Sequence, residues 1–151
     1  MKVLMVCLGN ICRSPLAEGI LQHKAAEKGI SMDVDSAGTS GWHIGEGPDK
    51  RSVAKANEYG IDISQQQSRQ FEKADFNRFD IIYAMDSSNY NDIVNMADRE
   101  DDKAKVQIIL NESNPGSNQA VPDPYYGGDD GFETVYQLLD YACDKIIEKQ
   151  S

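Results

Sequence analysis

Cysteine, histidine and long apolar runs are all scarce in this sequence, and each scarcity removes a class of protein. Three cysteines, an odd number, do not make a disulfide framework. With Met1-Lys2 leading straight into a strand-like run, the chain is expected to work in a reducing compartment, the cytoplasm. Two histidines, and no His/Cys/Asp grouping at metal-ligand spacing, leave no pattern for a resident metal. No stretch approaches the ~20 apolar residues that span a bilayer, and Val3-Leu4-Met5-Val6 is too short for the core of a signal peptide. Basic residues are outnumbered, 15 Lys and Arg against 25 Asp and Glu, for a formal net charge of -10. So acidic a surface repels nucleic-acid backbones and anionic membranes, and neither is expected as a partner. Repeats and low-complexity segments are absent as well.

What is present suits one domain, residues 1–151, since 40% hydrophobic content in a chain of this length can bury a core without staples. Val3 to Val6 reads as a strand buried on both faces, the form found in parallel sheets. Ser14 as N-cap and Pro15 as first helical residue open a helix whose apolar stripe of Leu16, Ala17, Ile20, Leu21 and Ala25 runs until Gly29. Met32 to Asp35 alternates as a second strand, and Ser36 to Pro48 reads as loop. Asp49 to Tyr59 is weakly helical, Phe79 to Ala84 a strand, Ser87 to Ala97 a helix, and Val106 to Leu110 a fourth strand. Arg99 to Asp102 reads as a solvated loop. Asn111 to Gly131 is a long Pro- and Gly-containing loop of the sort kept for function. Asp130-Gly-Phe-Glu133 has the form of a capping box opening a last helix striped by Phe132, Val135, Tyr136, Leu139, Ala142, Cys143 and Ile146. Alternating strands and helices predict an α/β sandwich around a parallel sheet, with its ligand beyond the carboxyl ends of the strands. The loops after the first and fourth strands both open there.

The first of these loops carries the chemistry. Cys7-Leu8-Gly9-Asn10-Ile11-Cys12-Arg13-Ser14 is a C-x5-R-S sequence running into a helix N-terminus. Successive amides ahead of a helix start, with its unpaired N–H groups and positive dipole end, form a nest for an anion such as phosphate. Gly9 and Asn10 tolerate the left-handed backbone that a tight nest needs. Arg13 can fork onto two phosphate oxygens, which Lys does poorly. Cys7, at the strand end of the cradle, is surrounded by groups that favour thiolate, and Ser14 can donate to it. Thiolate attack on phosphorus gives a cysteinyl-phosphate and splits one hard displacement into two. Asp123, stiffly held between Pro122 and Pro124 in the second loop, suits the general acid, with Asp92, Asp129 and Asp130 as other acids a fold can bring close.

Cys7 to Pro15, C-L-G-N-I-C-R-S-P, together with Asp123-Pro-Tyr-Tyr126, resembles the low-molecular-weight protein tyrosine phosphatases, and the resemblance covers the whole chain. It implies a three-layer α/β sandwich with a four-stranded parallel sheet flanked by helices and the phosphate-binding loop after strand 1. It implies hydrolysis of phosphotyrosyl protein substrates by a monomer through a cysteinyl-phosphate, with no cofactor. By the same resemblance Asn10 orders the phosphate loop, and Ser36 of Ser-Ala-Gly supports it from the next loop. Cys12 is a second thiol able to pair with Cys7. Trp42, Tyr125 and Tyr126 form the aromatic substrate pocket. Ile11 stands where phosphoarginine-specific members carry Thr, which favours phosphotyrosine. Gln66 departs from the pattern by standing near the place of a His, so it brings an amide and no positive charge to the loop. His43 is read as a surface-loop residue, His23 as solvated and Cys143 as core.

Two other functions fit part of this pattern. An arsenate reductase on the same scaffold needs relay thiols, and Ile81 to Asn91 contains none. A phosphotyrosine-binding module without turnover would keep Arg13 but should lose the nucleophile or the acid, and both are present.

Overall fold

In the computed structural model, which describes residues 1–124 and 129–150, four strands form one parallel sheet in the order β2-β1-β3-β4. β1 (Lys2–Cys7) lies centrally between β2 (Asp33–Gly38) and β3 (Ile81–Ala84), and β4 (Val106–Ile108) pairs with β3 at one edge. The unbroken apolar run of β1 is explained by layers on both faces. Val3, Met5 and Cys7 face a cluster built with α1 (Arg13–Glu27), α2 (Lys50–Glu58) and α6 (Asp129–Gln150). Leu4 and Val6 face another, with Phe76 of α3 (Asp75–Arg78) and Ile93 of α4 (Ser87–Met96). The three-layer α/β sandwich with a four-stranded parallel sheet is the architecture expected. Among the described residues no helix is long and apolar enough to cross a membrane.

Several boundaries differ from the sequence reading for local reasons. α1 starts at Arg13, not after a Ser14 cap; its N-cap is Cys12 and no side chain caps it. The Ser14 hydroxyl is spent inside the site instead. β2 continues through Ser36-Ala37-Gly38, because pairing with Met5, Val6 and Cys7 outweighs their loop-like composition. β4 ends at Ile108, and Ile109–Asn111 tightens into a 3-10 turn. The exposed Glu100–Lys103 forms a short helix, α5, with three acidic residues in its first turn, where the helix dipole favours them. Asp130 lies inside α6 rather than capping it, and Glu133 accepts from Lys55 and Tyr59 instead of closing a capping box. Cys143 is buried in the core, while His23 is half-exposed beside Glu27.

Candidate active site

The connection from β1 to α1 wraps into a cup because its carbonyls are engaged from outside. The Cys7 and Leu8 carbonyls accept from Thr39 and Ser40 N–H at 2.9 Å, and the Ile11 carbonyl accepts from Asp49 N–H at 2.8 Å. Gly9 C=O accepts from the Ser68 hydroxyl at 3.1 Å. With the carbonyls turned outward, the loop's amide hydrogens are turned inward, which is the arrangement of an anion nest. Asn10 supplies the left-handed turn at φ 58°. Gly9 does not; a Cβ there would stand 3.1 Å from the His43 ring, a tight contact that would press on that side chain. Gly38 has the same kind of role, since a Cβ there would meet the Leu8 carbonyl oxygen at 2.7 Å.

Cys7 lies at the floor, 3% exposed, and its Sγ accepts from Asn10 N–H at 3.2 Å. Ser14 Oγ is 3.0 Å from the same sulfur. The Asn10 side-chain amide donates to Ser14 Oγ at 2.8 Å and to Ser36 Oγ at 2.9 Å, Ser36 lying on a strand and not in a loop. Ser14 Oγ accepts from Asn10 and keeps its own hydrogen, which it can give to the sulfur.

Arg13 is buried, and its Nη1 donates to Asp86 Oδ2 at 2.8 Å and to the Val121 carbonyl at 3.0 Å. One guanidinium edge thus ties the phosphate loop both to the start of α4 and to the loop after β4. Burial works against the Arg13 charge, but Cys7, Asp86 and Asp123 together hold its pKa above the ordinary value. Asp123 Oδ2 stands 4.0 Å from Arg13 Nη2 on the opposite wall. Burial, with Asp49 and Cys7 adding, pushes the Cys12 thiol up to about 12, so it is protonated at neutral pH and no rival nucleophile. All three cysteines are free.

The cleft over this floor encloses about 180 Å³. Leu8, Gly9, Ile11 and Cys12 line one side, and Trp42, His43 and Asp123 stand around the mouth. Trp42 is 74% exposed, an aromatic face without a covering partner layer. His43, read from sequence as a surface residue, belongs to the pocket wall, with Nδ1 2.9 Å from Glu46 Oε2. Asp86 was not singled out by the sequence; its signal is that of a helix cap, which it also is, accepting Asn89 N–H at 2.8 Å. Gln66 does not reach the phosphate loop itself: Nε2 donates to the Pro15 carbonyl, at 3.1 Å, in the first turn of α1. Tyr125 and Tyr126 lie outside the described residues. Asp92, on α4, is not among the residues lining the cleft. Among the described residues, no group of three His, Cys, Asp or Glu side chains is placed to hold a metal ion.

A parallel sheet whose central strand runs into an amide cup, with a thiol on its floor and a guanidinium at its side, is the build of a protein that binds phosphate esters. The family described as low molecular weight phosphotyrosine protein phosphatase matches residues 2–150. The Homo sapiens low molecular weight phosphotyrosine protein phosphatase is 43% identical over 151 residues, covering 98% of this chain and 94% of that protein. Its Schizosaccharomyces pombe namesake is 41% identical over 145 residues, 93% of this chain and 92% of that one. The crystal structure of a protein tyrosine phosphatase from Entamoeba histolytica superposes with a TM-score of 0.92 at 37% identity, covering 99% and 96% of the two chains. A structure named as the Drosophila arginine phosphatase also superposes at 0.92, with 32% identity over 99% and 97%. The chain belongs to the low molecular weight phosphotyrosine protein phosphatase family.

Proposed function

We propose that this phosphatase hydrolyses phosphotyrosine in protein substrates, with Cys7 as nucleophile, Arg13 as phosphate clamp and Asp123 as general acid and base. The observation that carries the reading is the Cys7 sulfur: it sits on the floor of the amide cup, hydrogen-bonded by Asn10 N–H and facing Ser14 Oγ. The phosphoryl group enters the cup, its oxygens taken by inward N–H groups and by the Nη2 side of Arg13. The Cys7 thiolate attacks phosphorus; the S–P bond forms as the P–O bond to the phenol breaks. Asp123 gives its proton to the departing oxygen, so no free phenolate is released. In the second step the Asp123 carboxylate takes a proton from water, whose oxygen attacks phosphorus and expels Cys7 as thiolate, stabilised by the Ser14 hydroxyl. Free phosphate leaves and Asp123 is protonated again.

Phosphotyrosine is favoured as substrate because an aromatic wall at Trp42 suits a flat phenyl ring, Tyr125 and Tyr126 follow Asp123 closely in sequence, and Ile11 gives the cradle an apolar edge. The free, buried thiols support a reducing, cytoplasmic setting. The test is p-nitrophenyl phosphate turnover by wild type, Cys7→Ser and Asp123→Ala, with vanadate as inhibitor. Loss in Cys7→Ser, strong slowing in Asp123→Ala and vanadate block support the roles; activity surviving Cys7→Ser overturns them. Relative rates on phosphotyrosyl and phosphoarginyl peptides decide the substrate.

A further inference from the structure

Glu18 is a buried carboxyl that takes no part in the chemistry above. It lies one helical turn after Ser14 on α1, 8% exposed, and its Oε1 accepts the Ser36 hydroxyl at 2.6 Å. Its Oε2 accepts from Gln22 Nε2 at 3.2 Å. From Ser36 the chain of contacts runs through the Asn10 amide to Ser14 and ends at the Cys7 sulfur. The direction of the bonds at Asn10 follows from its partners. Asn10 Oδ1 accepts Arg69 N–H at 3.1 Å, which fixes the amide with its two N–H bonds toward Ser14 and Ser36. Ser36 Oγ therefore accepts from Asn10, and its hydrogen must go to Glu18. Ser14 Oγ likewise accepts from Asn10, and with Cys7 as the thiolate of the proposed function the Ser14 hydrogen goes to the sulfur.

We infer that Glu18 is a positioning residue of the phosphate cradle: its carboxylate, by taking the Ser36 hydrogen, holds Asn10 in the orientation that aims Ser14 at Cys7. The inference rests on Cys7 as nucleophile and adds a titrating group to it. Protonation of Glu18 turns the 2.6 Å charge-assisted bond from Ser36 into a weaker bond to a neutral carboxyl, so the brace on Asn10 loosens.

The surroundings place that protonation near neutrality. Burial pushes the Glu18 carboxyl up to about 7, with Asp35 on β2 adding, while the Ser36 and Gln22 hydrogen bonds and the Arg69 charge oppose. Arg69 acts weakly on Glu18 because its guanidinium is bonded to Asp35 at 3.2 Å and to Asp75 of α3 at 3.0 Å. Gln66, from the same segment as Arg69, brings no charge. Among the described residues no cation is bonded to Glu18, and its ionised form is favoured by two neutral hydrogen bonds and by the Arg69 charge.

Sulfate is a suitable probe, a tetrahedral dianion that keeps its charge across the range from about pH 5.5 to 8.5. Its competitive inhibition of p-nitrophenyl phosphate turnover is measured against pH for wild type, Glu18→Gln and Ser36→Ala. In wild type, sulfate affinity should fall roughly tenfold as Glu18 protonates, the equivalent of one hydrogen bond. Both variants should lack that component, Ser36→Ala although its Glu18 still titrates. Ser36→Ala keeps the inference open to test should Glu18→Gln not fold. Profiles of wild type and folded Glu18→Gln that superimpose overturn the inference, as does a Ser36→Ala profile that retains the component. Activity surviving Cys7→Ser would overturn the nucleophile instead, a separate result.

Discussion

Asp86 does two jobs, and two substitutions separate them. Its Oδ2 is 2.8 Å from Arg13 Nη1, and its Oδ1 caps α4 by accepting Asn89 N–H at 2.8 Å. Asp86→Asn keeps a good cap but removes the counter-charge of an arginine whose side chain is 4% exposed. Removing one partner of a buried pair typically costs about 3 to 5 kcal/mol. Asp86 is itself 23% exposed and the Val121 carbonyl still holds Nη1, so the cost should fall to just below that range, about 2 to 3 kcal/mol. Asp86→Ala loses the cap as well, for about 1 kcal/mol more. A bound oxyanion would replace the missing charge, so saturating vanadate should stabilise Asp86→Asn more than it stabilises wild type. Urea unfolding with and without vanadate reads all three quantities. In turnover, the loosened guanidinium should lower kcat/KM for p-nitrophenyl phosphate by roughly ten- to a hundredfold. An Asp86→Asn variant as stable as wild type would refute the ion-pair argument. An Asp86→Ala variant no weaker than Asp86→Asn would refute the capping argument.

Other substitutions probe the walls and the fold. Gly38→Ala sets a methyl 2.7 Å from a backbone oxygen that cannot swing aside, so it should cost about 1 to 3 kcal/mol and depress kcat/KM as the phosphate loop shifts; a fully active, fully stable variant would contradict the close approach. Glu18 should make stability fall as pH rises. Its pKa goes from 4.5 unfolded to about 7 folded, so the native state holds the extra proton between these values; up to about 3 kcal/mol present below pH 4.5 is lost by pH 7. Glu18→Gln should flatten that slope in urea unfolding at pH 5 and pH 8, and an unchanged slope would place the titration elsewhere. His43→Ala should raise KM for p-nitrophenyl phosphate about three- to tenfold while leaving kcat within about twofold, because it removes a wall and no reacting group. A fall in kcat alone would give His43 a different role.

Much of this was readable from the sequence because it is local. Strand, amide cup and helix start are contiguous from Val3 to Leu16, so Cys7, Asn10, Arg13 and Ser14 announce their neighbours by spacing alone. The strands were placed to within a few residues, since apolar runs flanked by polar turns report burial on both faces of a sheet. What stayed hidden depends on long-range pairing. Ser36 to Gly38 has loop composition but is strand because β1 pairs with it. Asp86 lies 73 residues from Arg13 and shows in sequence as a helix cap. Glu18 looks like a polar residue on an amphipathic helix until β2 brings Ser36 against it. His43 looks like loop until its ring is seen against Gly9. Ser14 misled for a different reason: its chemistry fits a cap, and the fold uses the same hydroxyl on the nucleophile.

The most direct test of the central claim is to trap the intermediate. Asp123→Asn, mixed with p-nitrophenyl phosphate and quenched in acid within the first turnover, is digested and its peptides examined by mass spectrometry. With Asp123 unable to activate water, phosphate should accumulate on the peptide containing Cys7 and be absent from the same peptide in the Cys7→Ser variant. Phosphate on any other residue, or turnover by an otherwise intact enzyme with no adduct at Cys7, would contradict the account.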